Sequence, residues 1–194
     1  MRATILWPLM ITLILPVTAC KIESKGAGDH KDVKIETPFG GMKVNTDEAA
    51  NVAEIGLAVY PGSSPVKEDK DNSADVDMHF GDFHLKVKAA GYTTPDSEAK
   101  VRAFYLKELA KFGDVLECRD KQPIGKLTKT REGLTCSDDN KGTKVHVSGT
   151  DKAELELKAG SKLHQHIVGI EKKDSAIKYG LVALDLPNTG TESN

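Results

Sequence analysis

The sequence lacks an excess of basic charge. Its 194 residues include 27 lysines and arginines against 29 aspartates and glutamates, which gives a formal net charge of −2 at pH 7. A protein that binds nucleic acid through its phosphates needs a strongly basic face. The near-neutral balance therefore argues against DNA or RNA as a partner.

The chain also lacks the motifs of common hydrolases and nucleotide-binding enzymes. It contains no G-x-S-x-G elbow, no phosphate-binding loop and no dinucleotide fingerprint. The S-x-x-K pattern fails at Ser63, because Val66 stands where lysine is needed. The run Asp138-Asp139-Asn140 resembles part of a calcium loop, but it lacks the glycine and the terminal glutamate, which favours a solvated turn. These absences favour a protein that is not an enzyme.

No segment is apolar over the roughly 20 residues that a membrane-spanning helix needs. The apolar run from Ile5 to Val17 is shorter, follows a positively charged start and precedes small residues. That order is typical of a secretory signal peptide, which we expect to cover residues 1–19. Trp7, the only tryptophan of the chain, lies in this segment.

The run LPVTAC, which ends at Cys20, resembles the lipobox of bacterial lipoproteins, which reads aliphatic, small, small, Cys. The resemblance covers only the first 20 residues. It implies that cleavage follows Ala19 and that Cys20 carries a diacylglycerol and an amino-terminal acyl chain such as palmitate. Two or more acyl chains anchor a protein stably without a transmembrane helix. Ordinary secretion with an incidental Cys20 is the alternative.

The same resemblance implies a location. A lipoprotein of this kind is held at a membrane of the cell envelope through Cys20 and faces the periplasm. In the sorting rule of enteric bacteria, an aspartate after the cysteine favours the inner membrane. Here Lys21 follows, so the outer membrane is favoured over the inner membrane.

Composition divides the rest of the chain. Residues 20–31 are polar and without periodicity after the cysteine, which is typical of a flexible tether, and the C-terminal end has the composition of a disordered tail. About 155 residues lie between them, enough for one domain with a real core. We expect a signal peptide at 1–19, a tether at 20–31, an N-terminal hairpin and short connection at 32–55, an α+β domain at 56–187 and a tail at 188–194.

Alternation with a period of two predicts many half-buried strands. In ADVDMHF, for example, Val76, Met78 and Phe80 fall on one face and acidic residues and a histidine on the other. One helix is predicted between Pro95 and Gly113, where apolar residues recur at helical spacing. Because many short strands are joined by short turns, we predict an α+β fold with two layers, a mainly antiparallel sheet with one long helix packed on one face.

Residues 56–119 are similar to an uncharacterised group of exported bacterial proteins. The resemblance lies in the order YPG, paired strands and VRAFYLKELAKFGDV. In that group a YPG segment precedes a helix with the pattern V-x-x-F-Y-x-x-E-L-x-x-x-G. The matching residues are turn formers and core aromatics, so the resemblance implies a fold and carries no activity.

Two cysteines remain if Cys20 is lipidated, Cys118 and Cys136. An even pair in an exported protein is most simply a disulfide. The two residues end the strand-like runs VLEC and GLTC, which suits a bridge across neighbouring strands. A metal pair or reactive thiols are the alternative, although no C-x-x-C spacing is present.

His164 and His166 are the candidate metal ligands. They lie two apart on a strand-like run, so their side chains share one side of the strand. A third ligand from His146 or His84 would complete a metal site. A wet strand face with polar side chains is the commoner arrangement, so we expect no metal and no other cofactor, and we assign no catalytic residue.

Two acidic pairs lie on strand faces, Asp75 with Asp77 and Glu154 with Glu156. Solvated sheet edges use such residues for solubility, and a general acid–base pair is the alternative. The function favoured by all these observations is a non-enzymatic, lipid-anchored envelope protein that binds an envelope protein partner as an accessory module. A metal- or small-ligand-binding lipoprotein that uses His164 and His166, and an enzyme of unfamiliar type, remain open.

Overall fold

The computed structural model describes residues 21–25, 32–45, 48–66, 73–137 and 154–188. The strands are β1 (Lys21–Lys25), β2 (Asp32–Thr37), β3 (Gly40–Asn45), β4 (Ser64–Pro65), β5 (Ser73–Phe80), β6 (Phe83–Thr94), β7 (Leu116–Arg119), β8 (Gln122–Pro123), β9 (Leu155–Gly160), β10 (His164–Lys173) and β11 (Ala176–Asp185). The helices are α1 (Glu48–Ile55) and α2 (Glu98–Leu109), and a 3₁₀ turn (Ala110–Phe112) continues α2.

Several sequence predictions concern residues outside these ranges. They are the signal peptide, Cys20, most of the tether, the Asp138-Asp139-Asn140 turn, the strand-like run around His146 and most of the tail. They stay predictions.

All of these strands join one 11-stranded sheet. Its order is β1-β2-β3-β5-β6-β11-β10-β9-β7-β8, with β4 on β6, and the pairings between these strands are antiparallel. Because β3 pairs with β5, the N-terminal hairpin belongs to the main sheet. Residues Lys21–Lys25, which composition assigned to the tether, pair with β2 as a strand.

The predicted fold class, an α+β fold with one long helix on a sheet, is wrong. The described part of the chain is mostly antiparallel β-sheet with two short helices, of which α1 has 8 residues and α2 has 12. The apolar stripe that predicted a long helix runs into the separate 3₁₀ turn ending at Phe112. The strand content was underestimated because polar segments such as β1 become strands by backbone pairing with a neighbour, which their own side-chain pattern does not report.

Successive residues of each strand face opposite sides of the sheet, so apolar side chains cluster on both sides. The helix-covered core lies on the side of α1 and α2, and the second apolar cluster lies on the other side. The fully buried side chains of the helix-covered core include Ile55, Val101, Tyr105, Leu109, Leu155, Leu157, Val168, Tyr179 and Leu181. The second cluster contains Leu85, Val87, Ala89, Val182, Leu184 and Leu186, with Val76 and Met78 packed against it.

The strands β1, β2 and β3 extend the sheet beyond β5 as a wing. One cross-strand row of the wing joins Ile22, Ile35 and Met42 to Met78 and Leu85, on the side of the second apolar cluster. The opposite side of the wing is charged, with ion pairs of 2.6 Å between Lys21 and Glu23 and between Lys34 and Glu36. The wing is therefore amphipathic across its two faces.

Candidate functional site

The segment next to Cys20 is the first site to place, because Cys20 is the predicted lipidation residue. Cys20 itself lies outside the described residues, and the next residue, Lys21, begins β1 opposite Glu36 of β2. The residues just beyond Glu36 form the β2–β3 turn at Pro38 and Phe39. The first described residue after the predicted anchor therefore lies at one end of the sheet.

We call this region the anchor end: Lys21 and Ile22, residues 37–40, and residues 80–83. Gly40 pairs with Phe80, and Phe80 pairs with Phe83, so the β2–β3 turn and the β5–β6 turn are adjacent. The approach is close, since a Cβ atom on Gly40 would collide with the His79 carbonyl oxygen and with Phe80. Three large apolar side chains are exposed here, Ile22 at 68%, Phe39 at 84% and Phe80 at 48%.

The structure confirms that Cys118 and Cys136 lie at disulfide distance, with their sulfur atoms 2.07 Å apart. Both side chains are buried and pack with Leu116 and Leu127. The predicted layout across two neighbouring strands is wrong, because Cys118 lies in β7 whereas Cys136 follows the isolated bridge between Lys129 and Thr135. The pair thus joins a loop to strand β7.

The predicted histidine pair does not assemble a metal site within the described part of the chain. In those residues no group of three histidine, cysteine, aspartate or glutamate side chains is placed to hold a metal ion. His164 and His166 both lie on β10, but His164 contacts Asp185 and His166 stacks on Phe112. His84, one proposed third ligand, contacts Asp77 instead, at 3.1 Å.

His166 is half-buried and packs against Phe112 at the border of the helix-covered core. Its ring lies parallel to that of Phe112, with centroids 3.5 Å apart and planes inclined by 11°. Its Nδ1 atom is buried and has no hydrogen-bond partner. Burial lowers the pKa of His166 below 6.5, although the Asp185 charge and a hydrogen bond with the backbone of Ile55 act in the opposite direction. The imidazole is therefore neutral near pH 7, which suits its apolar surroundings.

His164 and Asp185 form an exposed histidine–carboxylate pair. The His164 Nδ1 atom lies 2.9 Å from Asp185 Oδ1, and the Oγ atom of Ser161 accepts a hydrogen bond of 3.1 Å from the His164 backbone amide. The His164 side chain is 71% exposed. Exclusion of water strengthens the electrostatic interactions of an acid–base site, whereas this pair is exposed to solvent.

Asp75, predicted to lie on a solvated edge, is buried instead. It forms an ion pair of 3.0 Å with Lys88, whose side chain is also buried, and Lys88 contacts Glu54 of α1 as well. Burial alone would lower the pKa of Lys88, but hydrogen bonds with Glu54 and Asp75 outweigh burial and raise that pKa above 10.5. The network links strands β5 and β6 to α1.

Sequence reasoning missed a cluster of tyrosines at the YPG turn. The backbone amide of Tyr60 donates to the hydroxyl oxygens of Tyr105 and Tyr179, at 3.1 and 3.2 Å. The Tyr105 hydroxyl donates to the carbonyl oxygen of Ala58, and the Tyr179 hydroxyl donates to Ser63 Oγ. Burial raises the pKa of both Tyr105 and Tyr179, so neither hydroxyl serves as a base at neutral pH.

The turn itself explains the YPG residues. The Ser63 amide donates to the Tyr60 carbonyl oxygen, and Gly62 has a φ of 76°. Proline before a residue with positive φ is the preferred order of a type II turn. The YPG and Phe-Tyr motifs were the available sequence signals for this cluster, and both have a structural role.

Among the described residues, no helix is both long and apolar enough to cross a membrane. No protein-family model matches the chain, and comparisons with curated proteins and with solved structures find no match either.

Proposed function

We propose that this protein is exported, is lipidated on Cys20, and acts without catalysis as a binding module on a membrane of the cell envelope. The observation that carries the proposal is the LPVTAC run ending one residue before β1. Two acyl chains would hold the protein at the membrane. On this proposal the domain faces the periplasm, and Lys21 after the cysteine favours the outer membrane.

A short connection to the anchor supports a binding role. With β1 beginning at Lys21, the Cα atom of a lipidated Cys20 is about 3.8 Å from the first strand residue. A domain held this close to a membrane meets other membrane-bound proteins at a raised effective concentration. Confinement of this kind helps a module whose intrinsic affinity for its partner is weak.

The placement of the histidines supports a non-catalytic role. His166 is half-buried and stacks on Phe112, and His164 lies in an exposed pair with Asp185. An enzyme is the second candidate function, and the His164–Asp185 hydrogen bond is the observation that favours it. A catalytic histidine needs a reacting partner within hydrogen-bond reach, and the nearby Ser161 Oγ accepts from the His164 backbone amide.

The anchor is tested by the substitution Cys20→Ser, with Ser24→Ala in β1 as a matched control. We expect the control to carry lipid on Cys20 and to sediment with membranes, and Cys20→Ser to remain an unprocessed precursor. Intact mass and membrane fractionation measure this. Because Trp7 is the only tryptophan, indole absorbance reports a retained signal peptide. Wild-type protein that keeps Trp7 and has no mass added at Cys20 would overturn the proposal.

The choice between binding and catalysis is tested by His164→Ala and Asp185→Asn in the anchored protein. His166 is left intact because its loss would disturb the interior. We expect the cellular phenotype and the proteins crosslinked in whole cells to be unchanged. Loss of the phenotype with folding, anchoring and crosslinked partners intact would assign a chemical role to the His164–Asp185 pair and replace the binding function.

A further inference from the structure

The exposed large apolar side chains of the described chain lie together at the anchor end. They are Ile22, Phe39 and Phe80, which come from three separate segments. Phe39 occupies the β2–β3 turn, Phe80 ends β5 beside Gly40, and Ile22 is the second residue of β1. Isolated exposed apolar residues are normal on a protein surface, but a group gathered at one end marks an interaction site.

We infer that the anchor end docks on the lipid bilayer, with Ile22, Phe39 and Phe80 entering the interfacial region of the membrane. The inference rests on the proposed lipidation of Cys20. That anchor would attach lipid to the residue directly before Lys21, whose Cα atom lies about 3.8 Å from the Lys21 Cα atom, and so near this group of side chains. A bilayer is therefore the apolar surface that the anchor end meets first.

The charges near the anchor end are compatible with a bilayer. On the polar side of the wing, Lys21 is paired with Glu23, and Lys34 with Glu36, so these charges stay solvated and neutralise one another. Asp82 lies in the exposed β5–β6 turn, where a carboxylate would sit at the level of the lipid headgroups. This balance fits a zwitterionic membrane surface rather than a strongly anionic one.

The geometry also suits shallow insertion. Phe39 and Phe80 are at turns, so they can enter the interface while the backbone pairing of the sheet stays intact. Backbone groups that are already paired do not have to lose hydrogen bonds on entering a low-dielectric region. The anchor end of the sheet would then contact the membrane, and the β10–β11 turn at the opposite end would point away from it.

The test uses tryptophan reporters in the lipidated, full-length protein with Trp7→Phe as the background. Phe39→Trp and Phe80→Trp place reporters at the anchor end. Ser175→Trp is the matched control, because Ser175 is exposed in the β10–β11 turn at the opposite end of β11. Each protein is reconstituted into phosphatidylcholine vesicles with or without brominated acyl chains. Circular dichroism checks that every variant is folded.

We expect emission from Phe39→Trp and Phe80→Trp to shift to the blue in vesicles and to be quenched by the brominated lipid. Emission from Ser175→Trp should do neither.

Two results overturn the inference in distinguishable ways. If mass spectrometry finds lipid on Cys20 but neither anchor-end reporter is quenched, docking fails and the proposed anchor stands. If no lipid is found on Cys20, the proposed function fails and the docking inference fails with it. Reporters that are unquenched in vesicles but become shielded in native envelope membranes would assign the anchor end to a protein partner, which also overturns the inference.

Discussion

The helix-covered core and the wing are built from the same alternating pattern but differ in burial. Leu157 and Leu181 are completely buried beneath the helices. One row of apolar residues runs from the wing across β5 to β6, and its exposure falls from 68% at Ile22 on the edge to 6% at Leu85. Alternation therefore reports which face a residue occupies, whereas the neighbouring layer decides how far that face is buried.

The largest effect should come from breaking the helix-covered core. Leu157→Ala removes a fully buried side chain and should lower the free energy of unfolding by about 4 kcal/mol, because a cavity remains. Ile22→Ala at the exposed edge of the wing is the matched change and should cost less than about 1 kcal/mol. Urea denaturation of both variants measures the difference. Equal losses would mean that the wing is as tightly packed as the core.

Removal of the cysteine pair should have the next largest effect on stability, and that effect should be limited to the part of the sheet that lies far from the wing. The double substitution Cys118→Ala with Cys136→Ala should lower the free energy of unfolding by about 3 kcal/mol, since the pair closes a loop with a sequence separation of 18. Hydrogen exchange should quicken around β7 and β8 and stay unchanged in β2 and β3. Freely alkylated thiols in native, air-exposed protein would contradict the pairing.

The Lys88 network links β5, the strand next to the wing, to α1, and its removal should cost about 3 kcal/mol because Asp75 would be left buried without its cation. Lys88→Met keeps the length of the side chain and removes the charge, and urea denaturation at pH 7 measures the loss. The folded-state pKa of Lys88 is raised above 10.5, so its contribution is complete below pH 10.5 and disappears as the pH rises through the folded pKa. A variant as stable as the wild type at pH 7 and pH 11 alike would contradict this account.

The smallest effect concerns pH and His166. The folded-state pKa of His166 lies below its ordinary value of 6.5, so the unfolded chain binds more protons as the pH falls below 6.5. Stability should therefore be complete above pH 6.5 and decline as the pH falls through the folded pKa. His166→Phe keeps a ring against Phe112 and removes the titration. Its free energy of unfolding should fall less than that of the wild type between pH 7.5 and pH 5.5, and an equal fall would remove His166 from the explanation.

Part of the candidate site could be predicted from local patterns. The pairing of Cys118 with Cys136 was predicted from the even count that remains if Cys20 is lipidated, and the structure places the two at disulfide distance. The neighbours of Asp75 could not be predicted, because its partners Lys88 and Glu54 come from a different strand and a helix. The different surroundings of His164 and His166 were equally out of reach, since Phe112 arrives from another part of the chain.

The sequence by itself determined the alternation of Val76 and Met78, the type II turn at Pro61 and Gly62, and the apolar stripe of α2 with Tyr105 in the interior. Each depends on residues that are close in the chain, where side-chain spacing and allowed φ values act directly. Only the tertiary structure decided that β1 is a strand and that strands contain more residues than helices. It also decided that Ile22, Phe39 and Phe80 lie at the same end of the sheet. Those features arise from backbone pairing between distant segments, and pairing registers are set by the whole sheet rather than by any one strand.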